Sequence, residues 1–506
     1  MNRASSLAKA QNETFDVCII GGGITGAGIL ARAIQKGWKA ILVEKQDFAS
    51  GTSSRSSKMI HGGLRYLKMF QFKMVYEALH EREYLLKTFP TLVKPLPFIM
   101  PVYHSAIFLN VMALFIRFYG KLAGHSMLRK AKKLSATEVL KRLPGIKQKS
   151  LKGGVLYWDG WVNDSLLTIE VIKSCWQKGA VVLNYCKASK IIKESDVVQH
   201  IECVDSINNN RFNIKAKIYI NATGVWTDDI LRMISDKQPL VMKPSKGVHI
   251  LVPASKIPSD NVAIVQSGFN DKRYVYAFPW EYGLTVLGTT DTEYNGHPDK
   301  VATLLEDAEY LLNSFNKNFP AAQLSASDIM ASYVGLRPML DDKNRRTSYL
   351  RSREYSIWWN SENFLNIAGG KLTSFLSMGK KCMDTAEKKL KWSNNFSNLD
   401  TQGFCETTVE KLVKENAALG KSLFEKLNLT GAEVIQCIRD NFALEPADIL
   451  TRRSSVTYAM KYFDKIGVTE VAKIMAEELN KSNEWIEMQV KKYYTHWQEY
   501  HPDFIY

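Results

Sequence analysis

The sequence predicts an α/β fold for most of the chain and a helical domain at its C-terminal end. Three segments support the α/β part, because in residues 15–45, 219–230 and 365–381 a strand-like apolar run leads into a turn of glycines and small residues. After residue 408 the pattern changes: "VEKLVKENAALGKSLFEKL" and "EWIEMQVKKYYTHWQEY" have helical periodicity and few strand signals.

The N-terminal unit has the order strand, glycine-rich turn, helix, strand. Residues 17–20 form an apolar run, Gly21, Gly23 and Gly26 follow it directly, and "ILARAIQKG" is typical of a helix. "KAILVEK" is a second buried strand that ends at Glu44. The glycines keep the turn tight and let the backbone approach a pyrophosphate at the helix N-terminus, while the carboxylate binds a ribose hydroxyl. The unit predicts a Rossmann-like domain that binds an adenine dinucleotide.

Two later segments favour FAD over NAD. "YINATGVWTDDI" is a strand followed by a turn of small residues, and "LNIAGGKLTSFLSMGKK" is a strand whose Gly369-Gly370 pair opens a helix. A second glycine-rich helix start can direct backbone amides at another electron-rich group, such as the pyrimidine edge of a flavin. A nicotinamide cofactor needs no such distant element.

Composition excludes several other classes. The 506 residues are 45% hydrophobic and 23% charged, which is typical of a folded protein with more than one domain. The seven cysteines are scattered without a C-x-x-C pair, which argues against a structural metal site, an iron–sulfur cluster or a disulfide framework. The N-terminus lacks the apolar core of a secretory signal, and no clean run of 18 apolar residues occurs, so we expect no signal peptide and no transmembrane helix.

The net charge of +16 suits an anionic partner. Basic residues are dispersed and no nucleic-acid motif stands out, so we expect no nucleic-acid binding. Residues 98–133 are apolar and aromatic and end in a cluster of Arg129, Lys130, Lys132 and Lys133. Such a segment can lie in a membrane interface, with its lysines near anionic headgroups, or it can be a core helix followed by a basic turn. The sequence leaves both interpretations open.

Ten motifs along almost the whole chain carry a resemblance to a known family. They are "IIGGGITGAG", "SSRSSKMIHGGLRYL", "EALHEREYLL", "VNDSLL", "NATGVW", "KGVHILVP", "LGTTDTEY", "VGLRPML", "AGGKLTS" and "EPADILTRRSS". On these motifs the chain resembles the respiratory, aerobic-type FAD-dependent glycerol-3-phosphate dehydrogenases, a branch of the D-amino-acid-oxidase-like flavoproteins. The resemblance implies oxidation of glycerol 3-phosphate to dihydroxyacetone phosphate, with electrons passed to a membrane quinone. It also implies a peripheral position on the cytoplasmic face of the cytoplasmic membrane.

The resemblance also assigns the substrate site. Arg65, Tyr66, Arg337, Arg353 and Lys371 align with its substrate or phosphate positions, and a phosphate dianion prefers the planar fork of arginine. A base must take the hydroxyl proton. His249 is the first candidate, because the family has a histidine there, and His61 is the second; Arg337 is also assigned to the catalytic set. We expect no metal, since hydride transfer to a flavin needs none.

The glycine motif and the resemblance together predict the cofactor contacts. The predicted FAD-binding residues are Gly21, Gly23, Ile24, Thr25, Gly26, Glu44, Lys45, Thr52, Ser53, Ser54, Ser57, His61, Gly62, Gly63, Leu64, Ala188, Ala222, Thr223, Gly224, Trp226, Gly288, Arg337, Gly370, Lys371, Leu372 and Thr373.

At five positions the chain departs from the family pattern. Arg32 replaces a common aspartate and Lys36 a common arginine, so an ion pair near the dinucleotide is either missing or rebuilt. Val225 stands where proline is common, and Phe375 and Leu376 where tyrosine and arginine are usual. These changes bear on the affinity for cofactor and substrate and on the acceptor, and they leave the reaction class unaltered.

The predicted domain organisation is discontinuous. Residues 15–90, 150–240 and 330–390 are assigned to the Rossmann-like FAD-binding domain. Residues 91–149 and 241–329 are assigned to an interleaved substrate or cap domain with a mixed sheet. Residues 391–408 are polar and turn-rich and are interpreted as a linker to a C-terminal helical domain, residues 409–506.

Other functions fit the sequence less well. A glycerol-3-phosphate oxidase would use oxygen, but such chains carry an insertion that we do not find here. A tRNA-modifying flavoprotein or a non-catalytic flavin sensor leaves Arg65, His249, Arg337 and Lys371 without a common role. The anaerobic enzyme type, which docks on an iron–sulfur partner, is disfavoured by the few C-terminal cysteines. The expected partners are glycerol 3-phosphate, a quinone and an anionic membrane surface, with a homodimer as a candidate assembly.

Overall fold

Two β-sheets and a C-terminal group of helices make up the fold. The computed structural model describes residues 3–64, 71–124, 128–235, 240–271, 273–341, 355–390 and 407–505. The α/β class and the helical C-terminal region predicted from the sequence are confirmed. Residues 391–406, most of the predicted linker, lie outside the described residues.

Strands and helices are mixed along the chain up to Gly369, and only helices follow it among the described residues. The strands are β1 (Thr14–Ile20), β2 (Ala40–Val43), β3 (Met59–Ile60), β4 (Val93–Val102), β5 (Lys132–Leu134), β6 (Gly153–Val162), β7 (Val181–Leu183), β8 (Cys186–Glu194), β9 (Val197–Asp205), β10 (Asn210–Asn221), β11 (Ser245–Pro253), β12 (Val262–Gln266), β13 (Tyr274–Trp280), β14 (Leu284–Gly288), β15 (Thr292–Glu293), β16 (Ala331–Arg337), β17 (Tyr355–Ser361) and β18 (Phe364–Gly369). The helices are α1 (Arg3–Asn12), α2 (Ile24–Gln35), α3 (Phe72–Thr88), α4 (Ala106–Lys121), α5 (Ala136–Arg142), α6 (Asp164–Gln177), α7 (Thr227–Ile234), α8 (Leu305–Asn318), α9 (Phe375–Leu390), α10 (Thr407–Glu415), α11 (Gly431–Asp440), α12 (Val456–Ala459), α13 (Lys465–Leu479) and α14 (Asn483–Tyr500).

The first sheet is mainly parallel and has the strand order β17-β18-β10-β1-β2-β7, with β8 and β9 continuing from β10. Residues 17–20 of β1 are all buried, as expected for a central parallel strand that is covered on both faces. In the parallel register, Ile20 lies beside Asn221 of β10 and Val43 of β2. The carboxyl ends of β1, β2 and β10 therefore meet at one edge of the sheet, where the glycine turn begins.

The second sheet is mixed, in agreement with the prediction. Its strand order is β15-β11-β14-β13-β12-β4-β6-β3, with β16 beside β11 and β5 beside β6. The pairs are antiparallel except β12 with β4. Three strands from segments assigned to the FAD-binding domain, β3, β6 and β16, belong to this second sheet. Backbone pairing with distant strands decides which sheet a strand joins, and the local sequence pattern does not show this. The domain boundaries stay a prediction.

The C-terminal helices are joined to the first sheet by buried charges. Asp47, which follows β2, accepts hydrogen bonds from Arg452 Nε at 2.5 Å and from Arg453 Nη2 at 2.9 Å. Both arginines lie in the short π-helical segment Asp448–Arg453, and Asp448 accepts a second bond from Arg452. The two guanidinium groups hold the pKa of Asp47 below its usual value despite its burial. The C-terminal helices thus contact the loop that follows the second strand.

Helix α4 has two apolar faces. Leu109, Met112 and Ile116 on its inner face are buried, whereas Ile107, Phe108, Val111, Leu114 and Phe118 on its outer face are exposed. The buried inner face agrees with the core-helix interpretation, and the interfacial interpretation stays a prediction for the exposed outer face. None of the helices in the described part of the chain combines the length and apolar character needed to cross a bilayer.

Candidate active site

A cavity of about 700 Å³ lies between the two sheets, at the edge where β1, β2 and β10 end. This volume is ordinary for a cofactor or small-molecule site. The predicted site residues that line it are Gly21, Gly23, Ile24, Thr25, Glu44, Lys45, Thr52, Ser53, Ser57, His61, Gly63, Leu64, Ala188, Ala222, Thr223, Gly224, Trp226, His249, Arg337, Gly370, Lys371, Leu372 and Thr373. One cavity therefore collects residues that are up to 352 positions apart in the sequence.

Gly21 and Gly26 of the glycine turn leave no room for a Cβ atom. Gly21 has φ +116°, and a Cβ atom there would lie 2.6 Å from the carbonyl oxygen of Ala222. A Cβ on Gly26 would lie 1.9 Å from the carbonyl oxygen of Gly21, so Gly26 lets α2 start directly against the turn. Ser53 Oγ accepts the amide of Ile24 at 2.9 Å and supports the helix start. These contacts agree with the roles of glycine in a dinucleotide-binding turn.

Glu44 is fixed at the end of β2 by backbone amides. Its carboxylate accepts from Gly22 N at 2.7 Å and from Gln46 N at 3.0 Å, and it lines the cavity. Burial raises the pKa of Glu44, and the two amide donors act in the opposite direction. Lys45 lies 4.2 Å from the centroid of the Trp226 ring, and both residues contact Asp299. Glu44 is thus held where a ribose hydroxyl of a dinucleotide could donate to it.

His249 lines the cavity from β11 of the second sheet. Its Nε2 is 2.9 Å from Ser57 Oγ, and its ring stacks on Tyr333 with centroids 4.5 Å apart. Its Nδ1 is buried and has no hydrogen-bond partner among the described residues. Burial, together with the charges of Arg337 and Lys58, lowers the pKa of His249 well below its usual value. The ring is therefore neutral at pH 7.

Arg337 is held as a fixed cation at the cavity wall. Its two terminal nitrogens donate to five protein oxygens at 3.0–3.4 Å, among them Ser245 Oγ, Thr290 O and the carboxylate of Asp291. Asp291 also lines the cavity and was not predicted from the sequence, although it lies within the quoted "LGTTDTEY" motif. Lys371 lines the cavity as well, with Nζ 2.9 Å from the sulfur of Met74.

Some predicted site residues have other surroundings. Gly26, Ser54, Gly62 and Gly288 do not line the cavity. Gly62 N donates to the hydroxyl of Tyr119 at 2.7 Å, and a Cβ on Gly288 would lie 2.2 Å from Cδ2 of His249. These two glycines make room for neighbouring side chains. Arg65, Tyr66 and Arg353 lie outside the described residues.

The cavity also has wall residues that the sequence did not point to. They include Arg55, Lys187 and Arg273, which add cationic groups, and Met112, Phe115 and Ile116 from the inner side of α4, which add apolar surface. Arg55 stands inside the quoted "SSRSS" run, but its side chain carries no local signal for a cavity. The apolar wall comes from a helix whose partner strands are distant in sequence.

The family departures are accommodated where α2 meets α9. Lys36 Nζ is 3.4 Å from Asp384 and also pairs with Glu387, so the ion pair expected near the dinucleotide is rebuilt toward α9. Phe375 is fully buried, and its carbonyl oxygen would lie 2.6 Å from a Cβ on Gly28. Leu376 packs against the same core. The two helices therefore meet closely through glycine and apolar contacts.

The glycine turn, the placement of Glu44 and the cavity volume fit a dinucleotide such as FAD. Residues 16–380 match the family model described as FAD dependent oxidoreductase, and residues 403–485 match one described as the C-terminal domain of alpha-glycerophosphate oxidase. The chain belongs to the FAD dependent oxidoreductase family. This membership confirms FAD as the cofactor and oxidoreduction as the reaction class, both predicted from the sequence.

Two curated relatives of this FAD dependent oxidoreductase have the same name. The aerobic glycerol-3-phosphate dehydrogenase of Staphylococcus haemolyticus is 33% identical over 534 aligned residues, which cover 96% of this chain and 95% of the relative. The protein of the same name from Staphylococcus aureus is 36% identical over 397 residues, 78% of this chain and 71% of the relative. The family resemblance drawn from the motifs is thereby confirmed.

Solved structures share the fold. A glycerol-3-phosphate dehydrogenase from Bacillus halodurans, complexed with FAD, superposes with a TM-score of 0.77 at 24% identity and covers 98% of this chain and 97% of its own. The L-alpha-glycerophosphate oxidase of Mycoplasma pneumoniae has a TM-score of 0.59 at 18% identity, with 77% of this chain and 98% of its own covered. At these identities the likeness speaks for the fold of the oxidoreductase alone.

Proposed function

We propose that this FAD dependent oxidoreductase oxidises sn-glycerol 3-phosphate to dihydroxyacetone phosphate. One observation carries the proposal: the neutral His249 shares a single cavity with the cations Arg337 and Lys371 and with the glycine turn. Bound FAD supplies the acceptor for the hydride that leaves C2 of the substrate. The names of the curated relatives, aerobic glycerol-3-phosphate dehydrogenases, support the choice of substrate.

The chain's own groups bind the substrate and take its proton. His249 accepts the C2 hydroxyl proton, because a neutral imidazole with a lowered pKa is a free base at neutral pH. Arg337, fixed by its five acceptors, and Lys371 pair with the phosphate oxygens. Arg65, Tyr66 and Arg353 complete the substrate site in this proposal by their family positions alone. His61 remains the second candidate for the base, since it too lines the cavity.

The cofactor is held at the edge of the first sheet. Glu44 binds the ribose, and the amides of the glycine turn and the start of α2 face the pyrophosphate. The backbone around Ala222, Gly224 and Gly370 lines the same cavity. All the cavity-lining residues predicted for FAD are proposed as its contacts.

A membrane quinone is the proposed acceptor of the electrons. The outer face of α4 supports a peripheral position on the cytoplasmic face of an anionic membrane. We name its exposed residues Ile107, Phe108, Val111, Leu114 and Phe118 the apolar patch. Exposed cations border it in the chain, namely Arg117, Lys121, Arg129, Lys130, Lys132 and Lys133. An apolar face with a cationic border is typical of helices that lie in a membrane interface.

Oxygen is the second candidate acceptor. The C-terminal match to a domain of alpha-glycerophosphate oxidase favours it. The two candidates differ in one measurable step. Protein reduced by substrate should be reoxidised by a soluble quinone at least about tenfold faster than by air-saturated buffer, and faster reoxidation by oxygen would favour the oxidase.

Steady-state turnover with a soluble dye as acceptor tests the substrate. Glycerol 3-phosphate should support turnover with one dihydroxyacetone phosphate formed per dye reduced. Glycerol should give a kcat/KM lower by at least about a thousandfold, because it lacks the phosphate that the cations bind. Equal kcat/KM values for the two alcohols would overturn the proposal.

A further inference from the structure

A buried ion pair lies behind the turn of residues 54–58. Lys58 is 3% exposed, and its Nζ donates to the carboxylate of Asp164 and to Ser54 O at 2.5 Å. Asp164 is fully buried at the start of α6. Neither side chain lines the cavity, whereas Ser56 and Ser57 of the same turn do. The pair thus supports the wall of the active site from the side away from the ligand.

Asp164 holds the turn by more than the lysine. One of its oxygens accepts from Ser56 N at 3.2 Å and from Ser56 Oγ at 2.6 Å. Ser56 Oγ in turn accepts the amide of Lys58 at 3.0 Å, and Tyr333 donates to Ser56 O at 3.1 Å. Lys58 itself has φ +57°, an unusual conformation for a residue with a side chain. The backbone of the turn is therefore fixed by several independent contacts.

The residue that this turn presents to the cavity is Ser57. Its hydroxyl is 2.9 Å from His249 Nε2, while Nδ1 of the same ring has no partner among the described residues. Tyr333 stacks on the ring with an interplanar angle of 12° and also holds Ser56. Tyr333 therefore fixes the plane of the imidazole, and Ser57 fixes its rotation by a hydrogen bond to Nε2.

Two parts of the structure place positive charges near the His249 ring. Arg337 on β16 and Lys58 on the turn are the cations that act on His249, and the carboxylate of Asp164 neutralises Lys58 at contact distance. A buried ion pair adds little net stability compared with well-packed apolar residues, and its best-attested value is to enforce one geometry. Stability alone is thus a weak explanation for a lysine and an aspartate at this position.

We propose that Lys58 and Asp164 are positioning residues for the base of the reaction: their ion pair holds the 54–58 turn so that Ser57 hydrogen-bonds His249 Nε2. The inference rests on the proposed function, in which His249 takes the hydroxyl proton of the substrate. Lys58 and Asp164 act only through Ser57 and through their charge on the ring. Neither one touches the substrate.

The test compares Lys58→Met and Asp164→Asn with a matched control, Asp205→Asn. Asp205 is also fully buried and accepts from an arginine, Arg3 at 2.8 Å, but it lies outside the cavity. The first measurement is the rate of anaerobic flavin bleaching by glycerol 3-phosphate against pH. The second is the pH titration of the His249 ring by ¹³C NMR of histidine-labelled protein without substrate. The resonance is assigned by its loss in His249→Gln.

The two variants should move the ring titration in opposite directions. Lys58→Met removes a cation and should raise the midpoint by about 0.5 pH unit or more, whereas Asp164→Asn leaves the cation uncompensated and should lower it. Both variants should slow bleaching at least about tenfold at unchanged FAD content. Midpoints and rates equal to those of Asp205→Asn in both variants would overturn the inference.

A double variant covers the case in which the single ones fail to fold. Lys58→Met/Asp164→Leu removes both charges and should fold, because no uncompensated charge remains. It should still bleach slowly, and a wild-type rate would overturn the inference. Failure of the proposed function is a separate result, since wild-type protein would then not be bleached by glycerol 3-phosphate at all. In that case the NMR titration still tests whether the charges of the pair act on the ring.

Discussion

Charges placed on the apolar patch test the proposed membrane contact. Ile107, Val111 and Leu114 are 76%, 59% and 69% exposed, so most of each side chain is available for burial in a lipid interface. Full burial of such a side chain is worth about 1.5–3 kcal/mol, and the exposed two-thirds correspond to about 1–2 kcal/mol each. The triple variant Ile107→Asp/Val111→Asp/Leu114→Asp should therefore lose about 3–6 kcal/mol, or ~10²–10⁴-fold in binding constant.

Cosedimentation with vesicles that contain anionic lipid measures this loss. Ile466→Asp is the matched control, because Ile466 is 79% exposed on α13, outside the apolar patch. The control should bind vesicles as the wild type does. Turnover with a soluble dye should be unchanged in the triple variant, since the three substituted side chains do not line the cavity. Raising the salt concentration should weaken binding of the wild type through its lysines. Unchanged vesicle binding by the triple variant would refute the reasoning.

Three further predictions concern protonation and buried charge. His249→Gln should slow flavin bleaching by about 10²–10⁴-fold at equal FAD content, and the wild-type rate should hold below pH 6.5 because the pKa of His249 is lowered; an early fall near pH 7 would contradict this. Burial raises the pKa of Glu81 to about 8, so its contribution to stability is full below pH 4.5 and is lost as pH rises through 8. Glu81→Gln should therefore flatten the fall of the unfolding free energy between pH 5 and 9 in urea titrations, and parallel curves would exclude this cause. Asp47→Asn should lower the unfolding free energy by about 3–5 kcal/mol, since Arg452 and Arg453 lose a shared buried partner. A loss below about 1 kcal/mol would contradict a stabilising role for these buried ion pairs.

Local signals explain what the sequence could predict. The glycine turn and Glu44 lie within one strand–turn–helix–strand unit, so their spacing carries the chemistry of the site. The cavity indeed brings together most residues that the motifs pointed to. The environment of each face of α4 was harder to predict, because apolar residues surround much of the helix. Periodicity alone does not distinguish a face buried in the protein core from one that contacts a membrane.

Long-range pairing explains what the sequence could not predict. Lys58 and Asp164 are 106 residues apart, and Asp47 and Arg452 are 405 residues apart. The sequence around a buried charge gives no sign of its partner, so these contacts can be identified only once the fold is known. The same holds for β6, which pairs along ten residues with β4 and so joins the second sheet.

Anaerobic stopped-flow bleaching of the purified yellow protein tests the central claim most directly. Glycerol 3-phosphate should bleach the flavin rapidly, and glycerol at the same concentration should leave it oxidised, because in the proposed site Arg337 and Lys371 pair with the phosphate. A yellow protein that glycerol 3-phosphate does not bleach would contradict the proposed reaction and return attention to Phe375 and Leu376, where the chain departs from its family.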